Sequence, residues 1–119
     1  MNKSEALKIV KKNGLNLKSL PDEFKKDEEI VLNAIEQYGC SLKYADSSLK
    51  KNKEIVLKAV KKYGYALEFA DHSLKKDKDI VIEAVKQNGY ALKYADEKFK
   101  KDKDIVMETI SQNGYVLQY

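Results

Sequence analysis

The side chains most often used as general base and thiol nucleophile occur once each in these 119 residues, as His72 and Cys40. A histidine acting as general base needs a second group to orient it. A nucleophilic cysteine needs a base or a cation beside it. The residue before His72 is Asp71, which suits a helix cap better than a triad. Cys40 follows a glycine in an apolar segment and reads as a small packing residue. With one histidine and one cysteine no nitrogen–sulfur ligand set for a metal can be written, the acids recur at helix-cap positions, and no phosphate-cradling glycine loop is present. The sequence predicts no catalytic residue, cofactor or metal, and an enzyme is not expected.

The residues left to do chemistry are recognition residues. The chain carries 8 tyrosines, and all 23 of its basic side chains are lysine against 19 acids, a net charge of +4. Without arginine, bidentate reading of phosphates, carboxylates or guanines is absent. The single cysteine forms no disulfide within the chain, which fits a reducing, cytoplasmic setting. No apolar h-region opens the chain and no run is long enough for a membrane span.

These residues are positioned by a repeat. Glycines fall at Gly14, Gly39, Gly64, Gly89 and Gly114, always 25 residues apart. Each copy opens on a cap residue (Asp27, Asn52, Asp77) and continues into a helix with one broad apolar face, such as Ile80-Val81-Ile82-Glu83-Ala84-Val85. The glycine is expected to end that helix in the left-handed conformation. A short second helix follows, then a turn capped by Asp46, Asp71 or Asp96 that carries Leu49, Leu74 or Phe99 toward the core. In the first copy Ser4 is the expected cap, and the polar residues Glu5 and Asn16 suit a terminal repeat. Units this small bury their apolar faces only against one another. The predicted fold is all-α, a right-handed-type α-solenoid of about five 25-residue repeats forming one array over residues 1–119, divided near 1–26, 27–51, 52–76, 77–101 and 102–119.

The segment Asp-Lys-Asp-Ile-Val-Ile-Glu-Ala-Val-Lys-Gln-Asn-Gly-Tyr-Ala-Leu-Lys-Tyr-Ala-Asp at 77–96, with its counterparts at 52–71 and 27–46, resembles the tandem repeat known as domain of unknown function 4116. The resemblance covers nearly the whole chain, with Asn16 and Pro21 departing from the pattern in the first copy. It implies a helical repeat and assigns no activity and no functional residue.

Comparing the copies separates scaffold from surface. Val31, Ile35, Leu42, Ala45 and Leu49 and their equivalents stay apolar and are expected in the core. The tyrosine rows 65/90/115 and 44/94/119 alternate with Leu15, Cys40 and Phe69, so packing is expected of them too. Tyr38 and Tyr63 share their position with asparagines, so both are expected to be exposed. Beside them the outer helix face varies most, with Glu36 and Gln37 in one copy and Lys58, Lys61 and Lys62 in the next; Gln87 belongs to the same face. Tyrosine is enriched at binding hot spots, so these seven residues (36–38 and 58, 61–63) form the candidate partner-binding patch, and the expected partner is another protein. A second reading takes the Lys-Lys pairs at 25–26, 50–51, 75–76 and 100–101 as a phosphate-tracking ladder for nucleic acid. The acids that follow each pair largely cancel it. A third is end-to-end self-association through Tyr115, Val116 and Tyr119, an apolar end without a polar cap.

Overall fold

A computed structural model of the chain describes residues 1–112. Among the described residues every regular element is helical. In chain order the α-helices are α1 (Lys3–Lys12), α2 (Asp22–Lys25), α3 (Glu28–Gln37), α4 (Ser47–Lys50), α5 (Lys53–Lys62), α6 (His72–Lys75), α7 (Lys78–Gln87) and α8 (Lys103–Gln112). Between each long helix and its four-residue successor runs a 3-10 helix, at Gly14–Ser19, Gly39–Tyr44 and Gly64–Phe69. After α7 the same 3-10 segment at Gly89–Tyr94 leads to a second one at Glu97–Lys101, which stands in for the short α-helix. The short helix expected after the glycine is therefore present at Gly14, Gly39, Gly64 and Gly89, wound more tightly than an α-helix.

The starts of the long helices follow from their caps. Asp27 and Asn52 accept from the Ile30 and Ile55 N–H groups at 3.1 and 3.2 Å, while Asp77 and Asp102 take the Asp79 and Asp104 N–H groups, both at 3.0 Å. In α1 this position is Asn2, whose carboxamide accepts from the Glu5 N–H at 2.9 Å; the cap is not Ser4, which lies inside the first turn. Asp46, Asp71 and Asp96 cap the short turns as expected.

The glycines do something other than expected. No described residue, glycine included, has a positive φ. The residue before each glycine (Asn13, Tyr38, Tyr63, Asn88) is extended and ends the helix, and the glycine opens the 3-10 segment. The missing side chain is needed for approach between copies. A Cβ on Gly39 would meet the Tyr63 Cβ at 2.8 Å and the Ala59 carbonyl oxygen at 3.2 Å; one on Gly64 would meet the Ala84 carbonyl oxygen at 2.5 Å. On Gly14 it would strike the Ala34 carbonyl oxygen. At Gly14, Gly39 and Gly64 the glycine thus marks where one copy's helix end lies against the helix of the next; Gly114 lies outside the described residues.

Copies contact their successors in two rows. Each long helix packs on the next long one, and each 3-10 segment on the next through Gly89–Tyr94. A backbone bond recurs between copies: Asp46 N–H to Lys25 O and Asp71 N–H to Lys50 O at 3.0 Å, and Asp96 N–H to Lys75 O at 3.1 Å. The columns of residues expected to be apolar form one core, including Val31, Ile35, Leu42, Leu49, Val56, Leu67, Val81 and Phe99, but not at α8, where Val106 is half-buried and Ile110 is 48% exposed. The Ser41 hydroxyl, where later copies have Ala66 and Ala91, is buried without a hydrogen-bond partner among the described residues.

Candidate partner-binding face

Tyr38 and Tyr63 occupy equivalent caps at the ends of α3 and α5, which pack together. Their rings meet edge to face, centroids 6.4 Å apart at 71°. Tyr38 is 39% exposed. Tyr63, expected to be equally open, is half-buried because its Cβ fills the space over Gly39. From Tyr63 the contacts continue to Tyr65 at 5.7 Å and from Tyr65 to Tyr94 at 5.8 Å. Residues from three separate sequence columns therefore form one aromatic file, a juxtaposition no spacing rule predicts.

Glu36 and Gln37 are exposed at the end of α3, and Lys61 and Lys62 at the end of α5, with Lys58 exposed one turn earlier. The structure thus brings together six exposed members of the patch and adds the half-buried Tyr63 as their support. Gln87 is also exposed, but its side-chain oxygen is occupied, accepting the Gly64 N–H of the preceding copy. Cys40 is half-buried rather than buried. Burial pushes its thiol upward in pKa, the Tyr38 hydroxyl pulling more weakly the other way, so it stays a neutral thiol. His72 is exposed at the first residue of α6, lining an open cleft of about 360 Å³ with Lys75, Lys93, Asp96 and Glu97. A matching cleft of about 330 Å³ lies two copies earlier between Asp22, Lys25 and Asp46, so the hollow belongs to the repeated turn rather than to the histidine. Among the described residues no group of three or more His, Cys, Asp or Glu is placed to hold a metal. No described helix is long and apolar enough to cross a membrane.

Two lysine columns escaped the sequence reading. Lys43 lies 5.9 Å from the Tyr44 ring centre and 5.7 Å from that of Phe69 in the next copy, while Lys93 lies 5.0 Å from Tyr94 and 5.9 Å from Tyr65. The column Lys18, Lys43, Glu68, Lys93 was readable, but nothing in it says that a lysine stem lies over rings. The second column opens the long helices. Lys3 reaches Asp27 and Glu29 at 3.1 and 3.0 Å, Lys53 reaches Asp77 and Asp79 at 3.1 and 3.2 Å, and Lys78 reaches Asp102 and Asp104 at 3.2 and 2.9 Å. Where the column carries Glu28, the facing cap is Asn52, and its amide donates to Glu28 at 3.3 Å. Both partners change together, so the contact survives. The ladder along the array is therefore made by these lysines and caps. The Lys-Lys pairs contribute their backbone carbonyls, and Lys25 and Lys100 reach acids of their own copies.

This ladder sets the pH response. Hydrogen bonds that Lys3 donates to Glu29 and Asp27 raise its pKa, and acids in the same positions raise Lys53 and Lys78. Asp27 is lifted by burial, but the Ile30 N–H and the Lys3 ammonium outweigh that and leave it lowered. Hydroxyls of Ser48 and Ser73 lower Asp46 and Asp71. A lowered carboxylate stabilises above its unfolded value, about 3.9, and loses that as pH falls through its folded value. A raised lysine stabilises fully below about 10.4 and loses that as pH rises through its folded value. The urea midpoint should hold level between about pH 5 and 9 and fall on both sides. A midpoint that climbs on acidification below about pH 4 would contradict the ladder.

The family model for a domain of unknown function (DUF4116) matches residues 2–50, 52–98 and 77–119. The chain belongs to the DUF4116 family. Each match starts on a long-helix cap, Asn2, Asn52 or Asp77, and the first ends where a second copy's short helix ends, at Lys50. One DUF4116 unit thus spans two of the 25-residue copies. No curated protein and no solved structure matches the chain.

Proposed function

We propose that this DUF4116 chain is a non-catalytic binding module, a right-handed-type α-solenoid of about five repeats in one array, that recognises another protein through Tyr38, Tyr63, Lys58, Lys61, Lys62, Glu36 and Gln37. The observation that carries the reading is Tyr38, held 39% exposed by an edge-on contact with Tyr63 beside two exposed lysines. A rigid aromatic next to cations is the composition of a hot spot, and the lysines favour a partner with an acidic surface. The elongated form, 48 × 24 × 18 Å, supports the array. Adaptor and inhibitor are both roles such a module can fill, and a cytoplasmic setting belongs to the same reading. Phosphate-backbone binding through the Lys-Lys pairs is the weaker alternative, because acids follow each pair and Lys25 and Lys100 already reach Asp22 and Glu97.

The test is affinity capture from native lysate with wild-type chain and with Tyr38→Ala, read by mass spectrometry and then by affinity for the captured protein. Loss of a hot-spot tyrosine should weaken that affinity by about 30-fold, about 2 kcal/mol. The exposed position should leave the melting temperature within about 2 °C. Equal capture by a folded Tyr38→Ala chain would remove the patch from consideration.

A further inference from the structure

The lysines that lie over rings differ from those of the ladder in having no acid to hold. Lys18, Lys43 and Lys93 are exposed, and among the described residues none of them has an ion-pair partner, whereas Lys3, Lys53 and Lys78 each reach two carboxylates. Lys18 stands 6.0 Å from the Tyr44 ring centre, Lys43 between Tyr44 and Phe69, and Lys93 over Tyr65 and Tyr94. The acids beside Lys93 are already engaged. Asp96 accepts the Lys98 N–H at 3.0 Å, and Glu97 accepts from the Lys100 ammonium at 2.8 Å. A lysine steadied on a ring has less side-chain freedom left to lose when it takes a carboxylate.

The same column carries Glu68 in the third copy, exposed and likewise without an ion-pair partner among the described residues. Along the array its charges therefore run plus, plus, minus, plus. The column lies on the flank: Lys43 has a copy on each side and is still exposed, so further copies at either end would lengthen the column without covering it. Successive copies stand about 10 Å apart, the separation of packed helices, in keeping with the 48 Å length of the array. A polyproline II chain has three residues per turn and rises about 3.1 Å per residue, so every third side chain lies on one side at about 9 Å spacing. Nucleic acid fits worse. Its charges are all of one sign, and the ring faces on which bases would stack already carry lysines.

We propose that this column binds an extended, polyproline-type segment of a partner protein that carries a charged side chain at every third residue, in the order acid, acid, base, acid. The carboxylates of the segment pair with Lys18, Lys43 and Lys93, and its base pairs with Glu68. The half-buried rings of Tyr44, Phe69 and Tyr94 provide an apolar floor between the charges. The surface shares no residue with the Tyr38 patch and stands or falls separately.

The probe is the fluorescein-labelled peptide Glu-Pro-Pro-Glu-Pro-Pro-Lys-Pro-Pro-Glu, used beside its reversed sequence to cover both chain directions, and read by anisotropy against the full chain at low salt. One of the two should bind about fivefold or more tightly than the same peptide with glutamate in place of its lysine. On a Glu68→Lys chain that order should invert. Lys43→Glu should weaken the matched peptide by about fivefold or more, while Tyr38→Ala leaves it unchanged. Both column positions are exposed, so each variant should melt within about 2 °C of wild type. The proposal would be overturned if neither matched peptide bound, or if Glu68→Lys left the preference in place. Binding of the all-acid peptide, or of a single-stranded oligothymidylate of similar length, as tight as that of the matched peptide would overturn it too.

Discussion

Gly64→Ala is expected to lower the melting temperature by about 10 °C, a loss of about 2–3 kcal/mol. The added methyl would stand 2.5 Å from the Ala84 carbonyl oxygen, 3.0 Å from the Gln87 side-chain oxygen and 3.2 Å from the Asn88 Cβ. The nearest of these is backbone held in α7, where the Ala84 carbonyl also accepts the Asn88 N–H at 2.9 Å, so the copies must move apart. The cost does not come from backbone strain, since no described glycine has a positive φ. Alanine in an extended or 3-10 conformation is allowed, so a glycine kept only for conformation would lose little here. A melting temperature within about 2 °C of wild type would show that the copies do not approach as closely as described.

Leu67→Ala should cost about 3 kcal/mol, within the span of buried leucine truncations. Leu67 sits in the Gly64–Phe69 segment and is wholly inaccessible. Leu15 provides the control: it too is a leucine in a 3-10 segment but is 43% exposed, so Leu15→Ala should stay within about 0.5 kcal/mol. Equal effects at the two positions would mean that the 3-10 row is not one wall of the core.

The repeat was legible because its constraint is local and periodic. Columns such as Val31/Val56/Val81 hold one residue type, and the caps at Asp27, Asn52 and Asp77 announce each helix start. The glycine column was equally visible, but its cause was not. Ending a helix through left-handed backbone and touching the next copy leave the same residue in the sequence. Tyr63 was misplaced for a related reason: comparison with asparagine shows what a position tolerates, not which neighbour fills the space beside it. The lysine–acid ladder needed structure because its partners lie about one period apart and differ in type. Only the paired change to Glu28 and Asn52 marks it, and that pair carries meaning once their contact is known. Gln87 belongs to a varying, exposed column and still makes a contact between copies, because the Gly64 N–H lies within its reach.

The whole account rests on copies that hold one another through recurring contacts, and native-state hydrogen exchange of the full chain tests it most directly. The amides of Asp46, Asp71 and Asp96 lie in turns, where an isolated segment would exchange freely, but each donates across to Lys25, Lys50 or Lys75. The account predicts slow exchange at all three, with protection close to that of the α5 interior. Free exchange at these aspartates, while the amides of Ala59 and Val60 stay protected, would contradict it.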